Sequence, residues 1–200
     1  MKKIFFRNSI LLITLFIICS CKKDEQPTDQ EEVIIDNIWK GKMVTFSKDT
    51  QDDWTLINFQ DSISPNVILT RANKQSLFNI KMETGSSNDS PLDTEWALGS
   101  IDDIESLEFC NFKCIAKGKP YEIVDQPLVL HLISDDIYLS IIFHIWGGGN
   151  SGDRGAISYS RSTPIGYPDA DSDGVRDLMD QCPQTPADAQ VNIFGCEADQ

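Results

Sequence analysis

Ile137-Tyr138-Leu139-Ser140-Ile141-Ile142-Phe143-His144-Ile145-Trp146 decides the fold class. Ile137, Leu139, Ile141, Phe143 and Ile145 fall on every second position, and Tyr138, Ser140, Ile142, His144 and Trp146 take the alternate ones. Successive side chains of an extended strand point to opposite faces. This spacing therefore predicts a strand over 137–146 with one face on a core and the other in partly wet surroundings. Residues 128–133 are apolar on both faces except at His131, which predicts a central strand. Phe78, Ile80 and Met82 alternate with Asn79, Lys81 and Glu83, which predicts a further strand over 78–83.

Shorter runs of the same kind predict strands at 42–46, 54–59, 67–71, 107–112 and 157–161. Turn-forming residues separate them at Asp61-Ser62, Ser64-Pro65-Asn66, Gly85-Ser86-Ser87-Asn88, Lys117-Gly118-Lys119-Pro120 and Ser134-Asp135-Asp136. Residues 147–155, glycine-rich, read as a hairpin tip, and only 102–107 offers a short helical pattern. Many short strands at this spacing predict a mainly-β domain over 33–164, an antiparallel β-sandwich or jelly roll. Three stretches, LTRANKQSLFNI, SPLDTEWALGSIDDIESLEF and LVLHLISDDIYLSIIF, resemble an uncharacterised β-module of bacterial surface and secreted proteins.

Beyond this body, residues 169–180 read DADSDGVRDLMD. Calcium takes six to eight oxygen ligands, and a loop that alternates carboxylates with short residues converges them on one point. In a twelve-residue calcium loop the ligands stand at positions one, three, five, seven, nine and twelve, with glycine at six. Counted from Asp169, these are Asp169, Asp171, Asp173, the carbonyl of Val175, Asp177 and Asp180, with Gly174 at the turn. Position twelve carries an aspartate where the longer glutamate is usual, so it reaches the ion through one oxygen or through water. The competing reading, a solvated acidic linker, leaves five carboxylates repelling one another with no cation between them.

The downstream residues 181–196 read QCPQTPADAQVNIFGC, so the whole stretch has the form D-x-D-x-D-G-V-x-D-x-x-D-x-C-P-x-T-P…V-x-x-x-G-C. It resembles a thrombospondin type 3 calcium repeat of bacterial surface proteins and OmpA-like linkers. The resemblance implies that Asp169, Asp171, Asp173, Asp177 and Asp180 ligate calcium and that Cys182 pairs with Cys196. Residues 165–200 are accordingly expected to form a calcium-binding unit ordered mainly by ion and disulfide.

At the other end, Lys2, Lys3 and Arg7 precede an apolar run over 10–19, too short to span a bilayer and of signal-peptide length. The run ends Ile18-Cys19-Ser20-Cys21, which resembles a bacterial lipobox. That implies a signal peptide over 1–20, lipidation at Cys21 and membrane attachment through the lipid. Lys22-Lys23-Asp24-Glu25 resembles the acidic export tag of Bacteroidetes-type outer-membrane lipoproteins, and 21–32 reads as a flexible stalk. The expected location is the outer membrane, at the cell surface.

The chain carries 31 acidic and 17 basic residues, net −14, and loss of the leader makes it more negative. This argues against nucleic acid and anionic lipid as partners. Of six cysteines, Cys110, Cys114, Cys182 and Cys196 remain for disulfides outside the cytoplasm. Three residues separate Cys110 from Cys114, which fits either a local staple or two reduced thiols.

No catalytic signature emerges. Asp93 and Glu95 beside Trp96 carry glycosidase-like ingredients but stand closer than paired acid–base carboxylates on one strand, and a capped turn entering a strand with a core Trp96 is the favoured reading. His131 and His144 lack a nucleophile motif. Trp54, Trp96 and Trp146 are candidates for an aromatic ligand platform, with core residues as the blander alternative. The expectation is a calcium-binding surface lipoprotein that acts as a binding or adhesion module for an extracellular protein or glycan. The alternatives are a carbohydrate-binding component of a glycan-uptake system and a calcium-dependent structural envelope protein.

Overall fold

The computed structural model describes residues 37–148 and 152–197. The expected signal peptide over 1–20, the expected lipidation site Cys21, and the expected export tag and stalk lie outside the described residues. The chain divides into a unit over Met1–Ile34 and a compact unit over Ile35–Gln200, and all that follows concerns the second. Among the described residues no helix is long and apolar enough to cross a membrane.

The architecture is mainly antiparallel β. Strands β2 (Met43–Lys48), β6 (Thr94–Leu98), β7 (Leu128–Leu132), β8 (Ile137–Trp146) and β9 (Ile157–Ser162) form one sheet in the order β2-β9-β8-β7-β6. β1 (Ile38–Trp39) lies parallel to the first residues of β8, with Ile38 opposite Tyr138. It sits where β9 has already ended: Ser162 Oγ donates to Trp39 O at 2.6 Å while accepting from Ser140 N at 2.9 Å. A second sheet of three antiparallel strands runs β3 (Asp61–Ser62), β4 (Ile68–Arg71), β5 (Leu77–Asn79). Both sheets feed one core, in which Ile63, Val67, Leu69 and Leu77 join Phe46, Trp96, Leu130, Ile141, Phe143 and Tyr159. The strands divide six and three.

β8 follows the period-two pattern for most of its length, burying Leu139, Ile141 and Phe143. A bulge between Phe143 and Ile145 then breaks it, because two residues of β8 face one step of β9. One extra residue exchanges the faces of everything beyond it. Ile145, expected in the core, is 53% exposed, and Trp146, expected on the wetter face, turns inward against Phe112 and Phe143. Ile145→Ala is accordingly expected to lower the melting temperature by no more than about 2 °C, the size of an ordinary surface change. A drop typical of a core isoleucine would contradict the bulge.

Three other predicted strands are corrected. Over 54–59 there is a turn and a short 3-10 segment, Ile57–Phe59. Asp53 Oδ1 accepts from both the N–H and the hydroxyl of Thr55, and that local bonding competes with a sheet ladder. Strand 78–83 stops at Asn79, whose Oδ1 accepts from Ile68 N and Lys81 N and bends the chain, leaving Met82 58% exposed. Residues 107–112 make one bridge, Cys110 to Trp96, before Asn111 Oδ1 caps the single turn α1 (Phe112–Ile115) at Cys114 N. Asp61-Ser62, expected as a turn, is strand β3. The helical pattern at 102–107 appears as 3-10 turns over Ile101–Ser106.

Among the described residues two arginines are buried, and their surroundings differ. Arg161 on β9 meets Asp61 on β3, Nε to Oδ2 and Nη2 to Oδ1, both at 2.8 Å, with Tyr159 Oη donating to Asp61 Oδ2 at 2.9 Å. Burial alone would lower the affinity of Arg161 for its proton, yet the Asp61 carboxylate holds it above the ordinary value. Burial chiefly, and then the Asp61 charge, pushes the Tyr159 hydroxyl well above its ordinary range. Arg71 at the end of β4 has no such carboxylate: its Nε, Nη1 and Nη2 donate to the carbonyls of Gln75, Ala156 and Gly147.

Candidate metal centre

After β9 the chain forms no further strand or helix among the described residues, and aspartates shape it. Asp169 Oδ2 accepts from Gly174 N at 2.9 Å, Asp171 Oδ1 from Asp173 N at 3.2 Å and Asp173 Oδ1 from Val175 N at 2.7 Å. Asp177 Oδ1 accepts from Ala170 N and Asp180 Oδ1 from Cys182 N, each at 2.7 Å. Short acidic side chains thus replace the sheet ladder with a chain of turns, which alternation of aspartate with small residues favours. Gly174 has φ +99°, and a Cβ there would stand 2.5 Å from Lys42 Cβ, so both backbone and space demand glycine.

The turns bring Asp169, Asp171 and Asp173 together, each offering a carboxylate oxygen within 4.8 Å of the others. Asp173 is fully buried. Asp169 Oδ1 and Asp173 Oδ2 are buried without a hydrogen-bond partner. Asp180 comes to the same place. A point one Cβ bond out from Gly195 lies 2.1 Å from Asp180 Oδ1 and 2.9 Å from Asp173 Oδ2. Burial first, opposed by the N–H of Val175, and then the charges of Asp171, Asp180 and Asp169, push the carboxyl of Asp173 above its ordinary range. Desolvated carboxylates with free lone pairs are costly unless a cation takes them, and an all-oxygen set suits a hard divalent ion. The donor set therefore fits a metal ion.

Of the other expected ligands, Asp177 is exposed and engaged with Ala170 N. Val175 buries its side chain with Val44 and Val191 in a small apolar cluster. Two contributors fall outside the loop itself. Thr185 N donates to Asp171 Oδ2 at 2.8 Å, and the Thr185 hydroxyl donates to Cys182 O and Gly195 O. Gly195, at φ +77°, gives the carboxylates room. Both follow from the tail folding back over the loop, a closure that the spacing within 169–180 does not encode.

The loop is fastened to the large sheet. β2 is the sheet's last strand, and its outer edge is taken by residues 191–193: Thr45 N donates to Val191 O at 3.0 Å and Ile193 N to Thr45 O at 3.1 Å. Lys42 Nζ donates to Ala187 O at 3.0 Å. An open edge is thereby covered, and the metal-site turns abut the β-domain through Gly174 on Lys42.

Cys182 and Cys196 lie at disulfide distance with Cα atoms 5.1 Å apart, closing the tail. Cys110 and Cys114 do likewise at 6.1 Å, so the staple, not the reduced pair, is what the structure has. The three tryptophans do not form one platform. Trp96 is fully buried with Nε1 donating to Thr94 Oγ1, Trp54 packs edge-on against Phe78, and Trp146 lies under Arg71. Asp93, at φ +65°, accepts at Oδ1 from the N–H and hydroxyl of Ser134, which is a capping role. Glu95 stands 3.6 Å from Nδ1 of His131, whose ring stacks on Tyr138 at 4.1 Å. His144 Nε2 is 2.7 Å from Ser160 Oγ on the exposed bulge.

No protein-family model matches this chain, and no solved structure matches it. Among curated proteins, an alpha-agarase of Thalassotalea agarivorans is 66% identical over 29 residues, 14% of this chain and 2% of that protein. The chain thus spans a very small part of the length of the relative it matches, and the activity in that name stays with that protein.

Proposed function

We propose that the protein is a calcium-binding lipoprotein of the bacterial outer surface, a binding or adhesion module whose C-terminal loop, similar to a thrombospondin type 3 repeat, is locked onto the β-domain by the ion. The observation that carries this reading is the pair of buried, unpartnered oxygens, Asp169 Oδ1 and Asp173 Oδ2, beside Asp171. Asp180 adds a further oxygen, and Asp177 and the Val175 carbonyl complete the set by position. Calcium is preferred to magnesium because it accepts many oxygens in irregular geometry, whereas magnesium demands a near-ideal octahedron and keeps its waters. The anchor rests on the leader sequence and the lipobox-like Cys21.

Isothermal titration of the full-length chain in mild detergent tests the metal assignment. Calcium is expected to bind one ion per chain, more tightly than magnesium, and Asp173→Asn is expected to weaken it at least about tenfold, or ~1.4 kcal/mol. No uptake at millimolar calcium, or an unchanged Asp173→Asn variant, would rule it out. Gly195→Ala offers a second probe. Its methyl would occupy the space between Asp180 and Asp173, so calcium affinity is expected to fall while Gly118→Ala, where nothing lies within 4 Å, leaves it unchanged.

A further inference from the structure

Away from the aspartates a groove of about 560 Å³ opens between the end of β4, the 87–90 loop, α1 and the end of β8. Among the described residues its lining holds four cations, Arg71, Lys74, Lys113 and Arg154, and no carboxylate. In a chain with 31 acidic residues against 17 basic ones, that segregation of sign is a local feature with its own field. Three aromatic rings share the lining: Phe112, Trp146 and Tyr121, the last 59% exposed.

Arg71 gives the groove its direction. It is 4% exposed and lies 4.1 Å over the ring of Trp146. Its bonded partners are three neutral carbonyls, at 2.9, 2.6 and 2.7 Å, and burial pushes it down to about 10. Of the five N–H donors of a guanidinium, these carbonyls take three. A buried cation normally has a counter-ion, as Arg161 has Asp61; among the described residues no carboxylate pairs with Arg71. Lys113 is fixed on the rim by the Cys110–Cys114 staple at α1 and by its Nζ donating to Asn88 Oδ1 at 2.8 Å. The volume falls within the ~300–1,000 Å³ of small-ligand sites.

We infer that this groove binds the end of an acidic saccharide, its carboxylate or sulfate set against Arg71, Lys74 and Lys113 and a ring face against Tyr121. Aromatic rings take the apolar faces of sugars while fixed cations take the acid groups. The acidic remainder of the molecule disfavours a long polyanion lying across it, which is why the chain end, entering the groove, is the fitting piece. The groove shares no lining residue with the calcium loop, so this site stands or falls apart from it.

Calorimetry on the full-length chain in mild detergent, with EDTA present, tests the inference with four trimeric probes: an oligouronate, its methyl-esterified neutral counterpart, a sulfated oligosaccharide and an oligoglutamate peptide. The expected result is binding of the uronate, the sulfated sugar or both, at least tenfold tighter than the neutral sugar or the peptide, weakening as salt rises. Lys74→Ala/Lys113→Ala and Tyr121→Ala, all at exposed positions, are each expected to lower affinity at least tenfold with the melting temperature unchanged. Failure of both acidic sugars to bind, equal binding of the neutral sugar or the peptide, or full affinity in the double variant would overturn it. Calcium uptake measured on the same sample reports on the aspartate loop independently.

Discussion

Asp61→Ala is expected to lower stability by ~3–5 kcal/mol, because it strands a buried cation. Asp61 has no exposed surface and accepts from Arg161 twice and from Tyr159 once, which joins β3 of the small sheet to β9 of the large one. Without it Arg161, 7% exposed, keeps its charge and loses its countercharge, and the Tyr159 hydroxyl loses its acceptor. For a unit of this size each kcal/mol shifts the melting temperature by ~2–4 °C, so the expected drop is ~6–20 °C. Asp61→Leu/Arg161→Met should recover much of it, since replacing both ions with apolar groups removes the uncompensated charge. Thermal melts of the three proteins measure the loss and its recovery. A single variant within about 1 kcal/mol of wild type would mean that the pair does not join the sheets.

The second large effect is that of the ion. Calcium at about a hundred times its dissociation constant is expected to add ~2.7 kcal/mol, hence ~5–11 °C in melting temperature for the full-length chain. Asp173→Asn, with a site expected to be about tenfold weaker, should keep no more than ~1.4 kcal/mol of that increment at the same calcium concentration. Its effect is expected to change sign with conditions. With calcium the variant is the less stable protein, since a ligand is lost. In chelator it is at least as stable as wild type, because burial and neighbouring carboxylates disfavour the charged form of Asp173 and the amide removes that penalty. The Asn side-chain oxygen still accepts from Val175 N, so the turn is kept. A variant less stable than wild type in chelator would show that Asp173 serves the fold without a cation.

How much of this was legible in the sequence follows from how local each signal is. The class came from β8, where alternation over ten residues admits one reading. The bulge at its end was illegible, since nothing in Phe143-His144-Ile145 distinguishes a run that keeps register from one that slips against β9. Residues 54–59 looked extended by composition, but Asp53 sits two residues before Thr55 and the turn it makes outweighs the apolar residues after it. Asp61 read as a turn because its partner, Arg161, is a hundred residues away. The acidic loop was legible because five of its carboxylates lie within twelve residues. Its closure by Thr185 and Gly195, and its seat on β2, depend on long-range pairing that no local spacing encodes. The cationic groove was the least legible: Arg71, Lys113, Tyr121 and Trp146 come from separate segments, and only folding brings them to one lining that holds no acid among the described residues.

The central claim is that an ion held by the aspartates fastens the tail to the edge of the large sheet, and amide hydrogen exchange tests it most directly. Thr45 N and Ile193 N make the two hydrogen bonds of that seam, to Val191 O and Thr45 O. In the full-length chain, calcium at about a hundred times its dissociation constant is expected to slow exchange at both amides by at least about tenfold over chelator, equivalent to ~1.4 kcal/mol of added local stability, and to slow it less in Asp173→Asn at the same calcium concentration. Exchange at Thr45 and Ile193 that is the same with and without bound calcium would contradict the account.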